Sequence, residues 1–197
     1  MRFKFFRYYL GYVLNNSSWR AKAPPNTFGN CNPGLDDQTC QTFVIESFFA
    51  RELIAGLTTG PNEAMHFLTG PKLGNHRIIC RWARPPFLDR QSPVFVSASA
   101  KSVAAVLIPI IEQGAELHIC AHSHPGSGAA ATTPSTTDIE CLGKLQSAGS
   151  PAIGCIVTRD GCIRFFSVLT QFQVLILGTG VMEVSKNVFH ITLKTSH

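Results

Sequence analysis

Between Glu116 and Asp138 the chain runs from a short apolar segment, through His-Ser-His-Pro, into a loop of small residues and then a helix start. That order leaves few ways to fold. Glu116-Leu117-His118-Ile119-Cys120-Ala121 reads as a strand, which places His122 and His124 at its end. Side chains two apart on an extended segment project to the same side, so both rings can reach one point. Pro125 fixes its own φ and ends the strand. Residues 126–133 are Gly, Ser, Ala and Thr only, a composition that lets the backbone return closely on itself. Ser135 is then the expected N-cap, with Asp138 three residues on in the first helical turn. Two imidazoles and one carboxylate thus converge with a fourth position open. Three protein ligands and an open site suit a catalytic zinc, whereas four close a structural one.

The rest of the chain mixes strands with helices. Thr42 to Glu46 reads as a strand, and Ser47 is the expected cap of a helix from Phe48 to Leu57, with Phe49, Leu53, Ile54 and Leu57 on one face. Met65 to Thr69 and Arg77 to Arg84 are expected strands joined by a turn at Gly70 to His76. Ser99 predicts a cap, and the helix after it runs to about Gln113, stopped by Gly114, with Pro109 an unexpected interior residue. After the motif comes a helix to about Gln146. Ala152 to Thr158 and Cys162 to Val168 flank Arg159-Asp160-Gly161, a hairpin signal, and Phe172 to Leu177 is one further strand. The expected class is therefore α/β, of the mixed α+β kind. With 197 residues, one domain with a real core is expected, over 41–180, between an N-terminal extension (1–40) and a C-terminal tail (181–197).

His122-x-His124-Pro125 followed by Ser135-x-x-Asp138 resembles the signature of the JAMM (MPN+/JAB) zinc metalloproteases, and looks most like their prokaryotic JAB branch. The resemblance covers about residues 42 to 178. It implies a curved mixed sheet flanked by helices, the JAB/MPN-like (cytidine-deaminase-like) architecture. It implies His122, His124 and Asp138 as ligands of Zn2+, and Ser135 as a hydrogen-bonding group beside the metal. It also calls for an upstream glutamate as general base, matched best by Glu63 in Asn62-Glu63-Ala64-Met65-His66-Phe67-Leu68-Thr69-Gly70. Glu52 is the competing carboxylate, in an expected helix. Two departures stand out: the loop before Ser135 is about three residues longer than the usual spacer, and His66 stands where members often carry glycine.

The implied activity is hydrolysis of a peptide or isopeptide bond at the C-terminus of a ubiquitin-like protein. Such a protein or its conjugate would be the substrate, and E1- and E2-like proteins of the same pathway would be partners. Zinc lowers the pKa of a bound water from about 15.7 to about 7, and a nearby carboxylate takes the proton and later returns it to the leaving amine. Ser135 can hydrogen-bond an oxyanion or cap its helix. A RadC-type member linked to DNA repair and a non-catalytic MPN scaffold are the alternative readings. The first wants a helix-hairpin-helix region that the sequence does not show. The second usually loses a histidine or the aspartate, and all three stand here.

Composition narrows the setting. The formal charge of +5 has no dense Lys/Arg run with interleaved aromatics behind it, so no nucleic-acid partner is expected. No run of eighteen apolar residues predicts a membrane span. Arg2, Lys4 and Arg7 before Tyr8 to Leu14 only faintly suggest a secretory signal, and a cytoplasmic protein is expected. Seven cysteines without a Cys-x-x-Cys pair indicate neither a disulfide framework nor a zinc cluster. Cys120 reads as a small buried hydrophobe, and Cys155 and Cys162 as cross-strand neighbours in a reduced chain. His66, His76 and His118 are the remaining imidazoles able to approach the site.

Overall fold

The helix that follows the first strand supplies the centre of the core. In the computed structural model, which describes residues 40–85 and 87–193, β1 (Gln41–Glu46) leads into α1 (Ser47–Leu57). Ala50, Leu53, Ile54 and Leu57 recur at helical spacing and are fully enclosed. They pack on Phe43 and Ile45 of β1 and on apolar side chains from both large sheets. Phe49 is partly buried against the same cluster. Ser47 is the first helical residue rather than the cap: Glu46 holds that position, and the Ser47 hydroxyl accepts from Arg51 instead.

A seven-stranded mixed sheet runs in the order β12-β13-β10-β9-β8-β2-β5. Its members are β2 (Met65–Gly70), β5 (Arg81–Ala83), β8 (Glu116–Ser123), β9 (Ile153–Val157), β10 (Cys162–Phe166), β12 (Val181–Ser185) and β13 (Val188–Ile191). Only β8 and β9 run parallel. The chain between them carries α3 (Gly128–Ala131) and α4 (Thr136–Ser147), as a parallel crossover needs room for a helix. A second sheet has the order β11-β1-β4-β3, from β3 (Lys72–Leu73), β4 (His76–Ile79) and β11 (Phe172–Leu177). A hairpin, β6 (Arg90–Ser92) with β7 (Phe95–Ser97), and α2 (Ala100–Glu112) complete the described elements. The mixed α/β class is as expected. Among the described residues no helix is long and apolar enough to cross a membrane.

Three further expectations are corrected. The single strand expected over Arg77 to Arg84 is two strands in different sheets, β4 and β5. The chain crosses from one to the other beside Gly70, where an added Cβ would lie 1.9 Å from the Ile78 carbonyl oxygen. The stretch expected as a tail enters the large sheet: β13 pairs with β10 and β12 with β13, and Val188, Phe189 and Ile191 are buried. Its turn, 186–187, uses the left-handed conformation at Asn187. Cys155 faces Phe165 across the hairpin rather than Cys162, and both thiols are free, while Cys40 is disulfide-bonded. The remainder of the expected N-terminal extension, with its signal-like segment, lies outside the described residues.

Candidate metal centre

The end of β8 sets the site. Its alternation sends Ile119, Ala121 and Ser123 to the buried face, so His122 projects to the opposite one. His124 follows just past the strand, held there by its amide donating to the Val157 carbonyl at 2.9 Å. Ser123, between the two rings, serves the other side. Its hydroxyl accepts from the Ala64 amide and its own amide donates to the Ala64 carbonyl, both at 3.0 Å. Because Met65 also pairs with His122, this clamp on Ala64, the residue just before β2, holds its neighbour Glu63 at the end of β8. The Glu63 backbone is further held by the β6–β7 hairpin, through Ser92 and Gln91.

The donor atoms converge. His122 Nε2 and His124 Nε2 lie 3.0 Å apart, His122 Nε2 lies 3.2 Å from Asp138 Oδ1, and His124 Nε2 lies 3.5 Å from Asp138 Oδ2. A tetrahedral zinc with ligands at about 2.0–2.1 Å spaces them by about 3.3 Å. The observed separations, with each imidazole measured to its own Asp138 oxygen, are of that order. His124 Nδ1–H donates to the Ala131 carbonyl at 3.0 Å, so whenever the ring is neutral its Nε2 is the bare nitrogen, available as a ligand. The three side chains form the group of this kind that could hold a metal among the described residues, and the donor chemistry fits zinc.

Electrostatics agree with the geometry. Burial alone would raise the Asp138 carboxyl, but hydrogen bonds from His122, His124 and Ser135 hold it far below the usual carboxylate range. His124 is shifted upward: burial opposes this, and Asp138, the Ala131 carbonyl and Glu63 outweigh it. Glu63 is only 7% exposed, and desolvation raises its carboxyl above the ordinary value. The charges of His124 and His122 counter that shift in part and Asp138 adds to it, so Glu63 shares the field of the cluster.

Chains similar to this one were found only among solved structures. No family model matches it, and no curated protein does. One such structure, solved in solution, is of a protein from Desulfitobacterium hafniense, with 19% identity over 70% of this chain and 94% of that one and a TM-score of 0.48. Likeness of that degree carries no argument about activity.

The structure thus brings together His122, His124, Asp138 and Glu63 among the residues expected from sequence. Ser135 is also adjacent, as the cap of α4 in a reciprocal capping box with Asp138. Glu52 is exposed on α1 and His76 is exposed at the start of β4. His66 packs toward α1, beside Gly56, and stacks on Trp82 with centroids 4.6 Å apart. His118 is buried in β8 beside the Gly70 and Pro71 carbonyls, which do not complete a hydrogen bond to its ring. None of these joins the metal group. Sequence reasoning missed Ser123 and the support behind Ala131. An interior serine between two histidines was the one available signal, since alternation had to turn it away from them.

Proposed function

We propose that this chain is a JAMM-type zinc metallopeptidase that hydrolyses peptide or isopeptide bonds at the C-terminus of a ubiquitin-like protein. One observation carries the reading: two imidazole Nε2 atoms and one carboxylate converge closely enough to share an ion, with a buried glutamate in the same electrostatic field. The motif His122-x-His124-Pro125 with Ser135-x-x-Asp138 supplies the substrate class and the E1- and E2-like partners by resemblance. The seven-stranded mixed sheet, with α1 packed on it and α4 crossing between its parallel strands, supports the JAB/MPN-like, cytidine-deaminase-like architecture.

His122, His124 and Asp138 would hold the ion. Bound zinc supplies Lewis acidity toward a carbonyl and lowers the pKa of a water at its open position to about 7. Glu63 is the proton carrier. Desolvation raises its proton affinity above that of an ordinary carboxylate, which suits a group that must accept a proton and return it to a leaving amine. Ser135 orients Asp138: its one hydroxyl proton goes to Asp138 Oδ2 at 2.7 Å. An oxyanion role for Ser135 would require that proton to swing away from Asp138.

The test is zinc content with chelator-sensitive cleavage of ubiquitin-like fusions. The native chain should carry about one zinc, and His122→Ala/His124→Ala none. Glu63→Ala should keep the zinc and lose turnover, whereas Asp138→Ala should lose both. A native chain that takes up no zinc when supplied with it sinks the hydrolase reading; turnover surviving in Glu63→Ala places the base elsewhere.

A further inference from the structure

The carbonyl that fixes the His124 tautomer belongs to a segment with little to fix itself. Ala131 closes α3, a single turn of sequence Gly-Ala-Ala-Ala, and one isolated turn is far too short to be stable by its own hydrogen bonds. Its alanines offer no side-chain polar group. The position of the Ala131 carbonyl must therefore be imposed from outside, and two side chains on the β9–β10 hairpin do so.

Arg164 is the larger contributor. In the sheet, Met65 pairs with His122, His122 with Ile156, and Ile156 with Arg164. Paired residues share a face, so Arg164 stands in the same cross-strand row as His122 with one strand between. From there its guanidinium reaches over Ile156 to the turn. Nε donates to Thr132 Oγ1 and Nη2 to the Ala129 carbonyl, each at 3.1 Å. Thr132 is wholly buried and its hydroxyl donates to the same Ala129 carbonyl at 2.7 Å, which locks the residues on either side of Ala131. At the other end of the turn, Asp160 Oδ2 accepts from the Gly128 amide at 2.7 Å, and its Oδ1 accepts from the Thr158 hydroxyl at 2.6 Å.

We propose that Arg164 is a positioning residue for the metal centre, acting through Thr132 and Ala129 to hold the Ala131 carbonyl against His124 Nδ1–H. Asp160 steadies the start of the same turn. The proposal rests on the zinc reading above. It assigns a role to a charged side chain that neither touches a ligand nor falls within the motif. The planar fork matters more than the charge, because two donors at fixed spacing address two acceptors on the turn. Lysine would keep the charge and lose that match.

The experiment uses the full chain. Zinc affinity is measured by competition with a chromophoric chelator, and the visible spectrum is recorded with cobalt(II) in place of zinc, for the native chain, Arg164→Met and Arg164→Lys. Circular dichroism monitors the fold. Removing a partner that orients a ligand typically costs 10- to 100-fold in metal affinity, and that loss is expected for Arg164→Met, with altered cobalt bands and an unchanged fold. Arg164→Lys should fall between Met and the native chain. Should Arg164→Met fail to fold, the lysine variant decides: native affinity and native bands there overturn the proposal, and a several-fold loss supports it. A folded Arg164→Met that binds both ions as the native chain does also overturns it while leaving the zinc centre intact. A native chain that binds neither ion removes the centre and this role with it.

Discussion

Ser135 and Asp138 are bonded in both directions: the Ser135 hydroxyl donates to Asp138 Oδ2 at 2.7 Å, and Ser135 Oγ accepts from the Asp138 amide at 3.2 Å. The Ser135 amide adds a third bond, also to Oδ2 at 2.7 Å. Helix capping and ligand orientation are thus one structure. The carboxylate that would bind metal is the one that closes the capping box, so it enters the site already aimed.

Ser135→Ala should therefore affect two properties through one hydroxyl. Loss of an N-cap costs about 1 kcal/mol, read as a lower unfolding midpoint of the metal-free chain. Loss of the hydroxyl donor leaves Oδ2 held by only the amide of its two Ser135 donors, so zinc affinity should fall beyond what the stability change explains. Ser135→Thr keeps both bonds and should restore most of each. If Ser135→Ala lowers stability but binds zinc as the native chain does, Ser135 is a cap and nothing more.

Gly70 carries a prediction about the frame of the site rather than its chemistry. An added Cβ there would meet the Ile78 carbonyl oxygen at 1.9 Å and the Cys80 sulfur at 3.2 Å. The nearer contact is backbone, which a rotamer change cannot relieve. The Cys80 amide donates to the Thr69 carbonyl at 3.2 Å, so the crossing chain is tied where it stands. Gly70→Ala should cost about 3 kcal/mol or more, within the range of severe single changes, measured by urea unfolding. A cost below about 1 kcal/mol would mean that β4 and β2 do not approach this closely.

Local chemistry made much of the site legible. His122, His124, Asp138 and Ser135 lie within one strand-loop-helix unit, where alternation and capping act over a few residues. Glu63 was reached by resemblance, since its place beside β8 depends on the β2–β8 register and the Ser123 clamp, both long-range. Arg164 was not legible at all. Its relation to His122 runs through three strands, and no spacing in the sequence encodes which strands become neighbours. The same reason hid the split between β4 and β5. Val188-Phe189-His190-Ile191 gave too short a signal to be read as a strand, yet pairing with β10 buries three of the four.

His66 and His118 should make the protein sensitive to mild acid. They are 1% and 0% exposed, and burial lowers both rings from 6.5 to about 4, with help from Arg84 at His66 and from Arg77 at His118. Arg84 Nε donates to His66 Nε2 at 2.7 Å, a bond only the neutral ring can accept. The unfolded chain therefore holds more protons than the folded one between pH 6.5 and 4, and stability falls as pH falls through that window. At pH 5 each ring should cost about 2 kcal/mol relative to pH 8. His124 acts in the opposite sense, its raised value adding stability at low pH that is lost as pH rises, so the net loss is smaller than the two-ring sum. Asp138 stays outside the window, because its lowered carboxyl weakens the fold only below the ordinary 3.8. The measurement is urea unfolding of chelator-treated protein from pH 8 to 5, beside His118→Phe, an apolar ring in a site that offers no hydrogen bond. The native chain should lose stability steadily below pH 6.5, and the variant should lose about 2 kcal/mol less at pH 5. Parallel profiles for the two proteins would show that His118 is already free to take up a proton in the folded state.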